Sequence, residues 1–137
     1  MEVIFKVLDD ILIARVKGDV DHHNAAPVRN AIDTSMEAFG CKNLIMDLSG
    51  VDFMDSSGIG VVLGRYKKLA RSGGRLCISG CTGHMEKVLN MAGVFTLVPK
   101  EQELQGAVDL MQTSGQGRDQ EQGRDMLQNY EQMRMEV

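Results

Sequence analysis

The chain has 137 residues, 43% of them hydrophobic and 4% aromatic, no Trp, and a formal net charge of −4. That is the size of one domain with a core built from Leu, Ile, Val and Met; the acidic balance and the lack of any basic run exclude a general nucleic-acid binder. Three cysteines, Cys41, Cys77 and Cys81, are too few and too odd for a disulfide framework and fit the reduced thiols of a cytoplasmic protein, while the charge-broken N-terminus lacks a signal-peptide core and no window approaches the ~20 apolar residues of a membrane span.

Val3 to Leu8 and Ile11 to Lys17 read as two strands joined by an Asp9-Asp10 turn, hence a hairpin. A loop, Gly18-Asp19-Val20-Asp21-His22-His23, leads into a helix of about Ala25 to Phe39, with Pro27 in its first turn and Gly40 in the C′ role. Asn43 to Leu48 is a short apolar run, as expected for a buried central strand. A helix follows at about Ser57 to Ser72, stopped by Gly73-Gly74. Then come a strand at Leu76 to Ser79, a helix at about Met85 to Met91, a strand at Phe95 to Val98 closed by Pro99, and a helix at Glu101 to Met111. The order β-β-α-β-α-β-α-β-α predicts an α/β fold with a mixed, mostly parallel sheet of about five strands and about four helices. The domain is expected to span residues 1–112. Beyond it, Thr113 to Asp125 is polar and glycine-bearing and reads as a linker. Met126, Leu127, Tyr130 and Met133 recur at helical spacing, which predicts a short amphipathic helix or a mobile tail for the last residues.

The second helix is the informative one. In VDFMDSSGIGVVLGRYKK, the residues Ile59, Val62, Leu63, Tyr66, Leu69 and Ala70 form one apolar stripe. At ~100° per residue, Ser57, Gly60, Val61, Gly64 and Lys68 gather on the other side. An interior glycine costs a helix about 1 kcal/mol against alanine, so two of them on an outward face ask for a reason. Either they meet another element of the same domain, or they let a partner's backbone come close. Asp55-Ser56-Ser57 opens the helix. Ser and Asp are ordinary N-cap residues. A serine hydroxyl there also points into the positive end of the helix macrodipole, beyond the carboxyl end of a central strand, where α/β sheets meet ligands and partners. A phosphate on it would add about −1.5 to −2 charges.

The run FMDSSGIGVVLGRYK, Phe53 to Lys67, resembles the signature of the anti-sigma factor antagonists, and most closely the sporulation member of that family. The Gly18 to His23 loop and Met91-Ala92-Gly93-Val94-Phe95 resemble other parts of the same family in the same order, so that the likeness spans roughly residues 1 to 112. It implies a STAS domain. It also implies a partner-switching cycle: the unmodified protein binds a nucleotide-bound anti-sigma factor that is also a serine kinase and so frees a sigma factor, the kinase phosphorylates the first serine after the aspartate, here Ser56, and a PP2C-type phosphatase resets it. Asp21, Asp55, Ser57, Gly58, Gly60, Val61, Gly64 and Lys68 are then the expected partner-binding residues, with Asp21 positioning Ser56 or touching the kinase. The rival reading is a STAS module that binds a small ligand or lipid in the same crevice.

Other signals are weaker. Gly58-x-Gly60-x-x-x-Gly64 is one residue too long for a dinucleotide fingerprint, and no acidic residue ends the next strand. His22, His23, Cys77, Cys81 and His84 match no common zinc spacing. The G-x-S-x-G elbow of a serine hydrolase is absent, and no histidine is placed to serve the serine. No enzyme activity, cofactor or metal is expected, and no nucleic-acid or membrane partner.

Overall fold

Alternation with a period of two divides the strand residues between the two faces of a single sheet. The structure, a computed structural model, describes residues 1–113 and 132–136. Its elements are β1 (Glu2–Leu8), β2 (Ile11–Lys17), α1 (Ala25–Phe39), β3 (Asn43–Gly50), α2 (Ser56–Arg71), β4 (Leu76–Ser79), α3 (Gly83–Met91), β5 (Lys100–Glu101), α4 (Leu104–Thr113) and β6 (Gln132–Glu136). The sheet order is β5-β4-β3-β2-β1-β6. The β1–β2 and β1–β6 pairs are antiparallel, and β2–β3, β3–β4 and β4–β5 are parallel. The hairpin turns where expected, with Asp9 at φ 55°, a left-handed conformation that Asp tolerates.

One face of the sheet presents Val3, Phe5, Leu12, Ala14, Leu44, Met46, Leu76 and Ile78. It is covered by α1, α2 and α3 through Val28, Ile32, Val62, Leu69, Met85 and Leu89. The other presents Leu8, Ile11, Ile13, Ile45 and Cys77, and α4 covers it with Ala107, Val108 and Met111. A fully buried side chain of this size contributes about 1.5–3 kcal/mol, so the long central strands carry most of the stabilisation. Gly40 ends α1 in the left-handed conformation at φ 62°, its N–H donating to the Glu37 carbonyl, which is the C′ role expected of it.

Two expectations need correction. Val94 to Thr96 is a 3₁₀ turn, not part of a strand, and the β5 pairing begins after Pro99. The burial pattern explains why: Val94 and Val98 are both fully buried, four residues apart, and the Val98 amide donates to the Val94 carbonyl at 2.9 Å. That is a helical period, which a short apolar run does not distinguish from a strand. At the C-terminus, Gln132 to Glu136 form a strand, not a helix or a mobile tail. They pair with β1 in the register Glu2↔Glu136 to Lys6↔Gln132. The hairpin would otherwise leave the seven-residue β1 as a bare edge, and pairing satisfies its outward backbone groups. The helix expected around Met126 to Tyr130 lies outside the described residues.

Candidate functional site

The loop after β2 and the segment after β3 are sewn together at one end of the sheet. Val20 and Met54 form an isolated parallel bridge, the Val20 amide donates to the Phe53 carbonyl at 3.0 Å, and the Asp55 amide donates to the Val20 carbonyl at 3.3 Å. Asp55 then caps α2. Its Oδ1 accepts from the Ser57 amide at 2.8 Å and the Gly58 amide at 3.2 Å, and its Oδ2 accepts from the His22 amide at 3.1 Å. Partial burial pushes this carboxyl up, but the three amides and the His22 ring, 3.7 Å from Oδ2, outweigh it and hold Asp55 below its ordinary value. An ionised carboxylate therefore fixes both the start of α2 and the loop carrying Asp21.

Asp21 is held by its own loop. Its Oδ1 accepts from the His23 amide at 2.9 Å, and its carbonyl accepts from the amides of Asn24 and Ala25 at the start of α1. This loop is tied to the start of α2 by the His22–Asp55 and Asp55–Val20 hydrogen bonds.

Ser56 is the first residue of α2 and is exposed; Ser57 is half-buried. Gly60 and Gly64 face open space, for a Cβ built on either meets nothing within 4 Å. The alternative that these glycines pack inside the domain is thereby excluded for the described residues. It does hold for Gly58. A Cβ there would lie 2.3 Å from Met54 Cγ and 2.6 Å from the Val20 carbonyl oxygen, so this glycine belongs to the packing of the loop and not to an outer face.

The same contact changes which side of α2 is inside. The buried residues are Gly58, Val61, Val62, Arg65 and Leu69. The expected stripe of Ile59, Val62, Leu63, Tyr66, Leu69 and Ala70 is rotated by roughly one residue's step, ~100°. Val61, expected outside, is 4% exposed and sits in the core. Ile59 and Leu63, expected inside, are half-buried beside Gly60 and Gly64, and Ala70 is exposed. Lys68 remains exposed, with Nζ 3.5 Å from Asp33 Oδ2 on α1. The sequence reading missed two kinds of residue: Ile59 and Leu63, which flank the bare face, and Phe53, which is 47% exposed just ahead of Ser56. A large aromatic two residues before the DSSG run was the available signal.

A crevice at the carboxyl ends of β3 and β4, bordered by Ser49, Asp52, Thr82 and His84, has a volume of about 130 Å³. That is below the 300 Å³ or so of an ordinary ligand pocket, and neither Asp55 nor Ser56 lines it. Cys77 and Cys81 lie in the cores on opposite faces of the sheet, their thiols pushed up to about 12 and about 11, first by burial and then by Glu101 and Glu86. Among the described residues no three His, Cys, Asp or Glu are grouped to hold a metal, and no helix is long and apolar enough to cross a membrane.

The known proteins that share this architecture carry it across the same region. The STAS domain model matches residues 2–107. An anti-sigma F factor antagonist of Paenibacillus polymyxa is 36% identical over 89 residues, covering 65% of this chain and 76% of that protein. The anti-sigma factor antagonist SpoIIAA, solved in its unphosphorylated form, superposes with a TM-score of 0.66 at 26% identity, over 82% of this chain and 99% of that one. SpoIIAA of Bacillus in its phosphorylated form gives 0.59 at 28% identity, over 77% and 97%. The sheet, the helix order and the sequence around α2 thus lead to one conclusion: the chain belongs to the STAS domain family, among the relatives of the anti-sigma factor antagonists.

Proposed function

We propose that this protein is an anti-sigma factor antagonist switched by phosphate on Ser56. Unmodified, it docks the face of α2 around Gly60 and Gly64 on a nucleotide-bound anti-sigma factor that is also a serine kinase, and the sigma factor is released. The kinase phosphorylates Ser56, the complex separates, and a PP2C-type phosphatase restores the hydroxyl. The likeness to an anti-sigma F factor antagonist favours a sporulation sigma factor as the one controlled.

The observation that carries this reading is the continuity of an exposed Ser56 with a helix face on which two glycines touch nothing. A helix that served only its own domain would gain about 1 kcal/mol from alanine at each position. Phe53, Ile59 and Leu63 supply the apolar rim, and the glycines admit a backbone. A STAS module binding a small ligand in the crevice would need neither feature, and the crevice is small.

The electrostatics give the switch its direction. Phosphate at the first position of α2 sits at the positive end of the helix and does not unfold the domain. Next to the ionised Asp55 and at the centre of a contact, it repels and resists desolvation. Taking a complex from mostly formed to mostly dissociated needs about 5.5 kcal/mol of differential affinity, which a buried dianion is able to supply. The direct test is to incubate the protein with ATP and its cognate kinase and to map the phosphate by mass spectrometry. Modification at Ser56, lost in Ser56→Ala while binding survives, is expected. Phosphate elsewhere than Ser56 and Ser57, or none, sinks the proposal.

A further inference from the structure

The pairing of β6 with β1 moves the edge of the sheet outward; it does not abolish it. Among the described residues β6 pairs with β1 alone and ends the strand order, so the backbone groups along its outer side are open to a further strand. No proline interrupts Gln132–Glu136, and the register with β1 runs without a bulge; two devices that blunt an edge are missing. The strand lies beyond residues 2–107, the part that the STAS domain model matches, so the family likeness says nothing of its use. By register, positions 133 and 135 share the face of Phe5 and Val3, and positions 132, 134 and 136 share the face of Lys6, Ile4 and Glu2. At one end of the hairpin, Lys17, Glu2 and Glu136 stand in one cross-strand row. Glu2 and Glu136 are direct neighbours of like charge, an unfavourable pair, and the lysine of the row is on the far side of Glu2. A cation on the open side of Glu136 balances the row.

We infer that a second copy of this chain supplies that cation, β6 pairing with β6 in the antiparallel sense about a two-fold axis at Met135. The sequence Gln132-Met133-Arg134-Met135-Glu136 is self-complementary in that register. Met135 falls opposite itself, and Arg134 of each copy falls opposite Glu136 of the other. The row then reads Lys17, Glu2, Glu136 and the partner's Arg134, two cations enclosing two carboxylates. On the other face, the row of Val3 and Met135 continues into its own copy, which extends an apolar face. The neighbouring register, centred on Arg134, sets arginine against arginine. Opposite charges across a pair of strands stabilise and like charges destabilise, so charge selects the first register over the second. The contact is isologous and closes on itself, which gives a dimer and not a fibre. It is small beside a standard interface, so the dimer is weak and depends on concentration. The inference does not rest on the reading of Ser56.

Analytical ultracentrifugation of the full chain, from micromolar to millimolar concentration, is expected to show a monomer in equilibrium with a dimer. Arg134→Glu alone, or Glu136→Arg alone, turns two attractive pairs into repulsive ones and is expected to weaken the dimer by about tenfold, or 1.4 kcal/mol. The two reversals together recreate both pairs with the signs exchanged and are expected to restore it. Should a single reversal loosen β6 from β1, a crosslink reads the contact without altering any charge. Directly opposed residues of antiparallel strands have Cα atoms about 4.5–5.5 Å apart, within the reach of a disulfide. In a Cys41→Ser background, which leaves only the buried Cys77 and Cys81 as native thiols, Met135→Cys is expected to form a covalent dimer under mild oxidation faster than Gln132→Cys. Faster crosslinking by Arg134→Cys than by Met135→Cys overturns the register. A monomer at every concentration, a dimer indifferent to both reversals, or Met135→Cys no faster than Gln132→Cys overturns the contact.

Discussion

The two sides of α2 use the same residue type for opposite ends. On the inner side, Gly58 is a glycine because Met54 and the Val20 carbonyl occupy the place of a side chain. On the outer side, Gly60 and Gly64 have nothing within reach and pay the helix no packing in return. Spacing alone makes the three look alike, as members of one G-x-G-x-x-x-G string. The space around them separates a glycine that the fold requires from two that the fold could do without. A stability argument accounts for the first and leaves the other two to function.

The sharpest way to break that contrast is at Ser56. Ser56→Asp places a fixed negative charge at the outer end of α2 and is expected to leave the melting temperature within about three degrees, surface changes being within about ±0.5 kcal/mol. The same variant is expected to weaken binding to the anti-sigma kinase by about tenfold or more, read by calorimetry or surface plasmon resonance. Undiminished binding would remove the charge mechanism. Gly58→Ala acts on the inner side. Its Cβ would displace Met54 or the loop at Val20, and overpacking of this kind costs about 1–3 kcal/mol, measured as a lower urea midpoint. A neutral Gly58→Ala would mean that the loop yields freely, and the inner glycine would lose its explanation.

Most of the fold was legible because its signals are local. The apolar runs of β1 to β4, Pro27 in the first turn of α1 and the Gly40 stop each follow a local rule that burial then enforces. The errors fall where two local rules compete and a tertiary contact decides. The Phe95 to Val98 run had the length of a strand, and the buried Val94 and Val98, four residues apart, made the segment a turn of helix. Gln132 to Glu136 carry no strong signal of their own; the open edge of β1 gives them one. At the site, the DSSG run placed Ser56 and Asp55 correctly relative to the helix start. The rotation of α2 was not legible, because it is set by Gly58 against Val20 and by the Arg65–Asp33 pair, which brings a charged residue inside. A periodicity reading counts Arg65 as solvent-facing and so turns the whole stripe toward Ile59 and Leu63.

Gly60→Ala and Gly64→Ala sharpen the contrast from the outer side. Each adds a methyl group to open space and raises helix propensity, so each is expected to stabilise the isolated protein by about 0.5–1 kcal/mol. The same variants are expected to weaken the kinase complex, since the methyl groups stand where a partner's backbone would approach. Stability rising while affinity falls is a combination that a purely structural glycine cannot give. If both variants bind as well as the unmodified protein, the outer face is not the interface, and Phe53 with Ile59 becomes the next surface to alter.

The smallest expected effect concerns Asp55, which serves both sides at once by capping α2 and holding the His22 loop. Its carboxyl is held below its ordinary value in the folded protein: burial raises it, but the amides of Gly58, Ser57 and His22 and the His22 charge together lower it further. A group depressed on folding contributes stability that is fully present above its unfolded pKa, near 3.9 for Asp. That contribution is lost as the pH falls through the folded value. Asp55→Asn keeps a side-chain oxygen for the cap, since Asn and Asp rank together there, but removes the titration. Thermal unfolding of the two proteins followed from neutral pH into acid should therefore show wild type the more stable near neutrality, its advantage shrinking below about pH 4 until the curves meet. Parallel curves across that range would mean that the charge of Asp55 contributes nothing to the native state, and that its oxygens alone hold the start of α2.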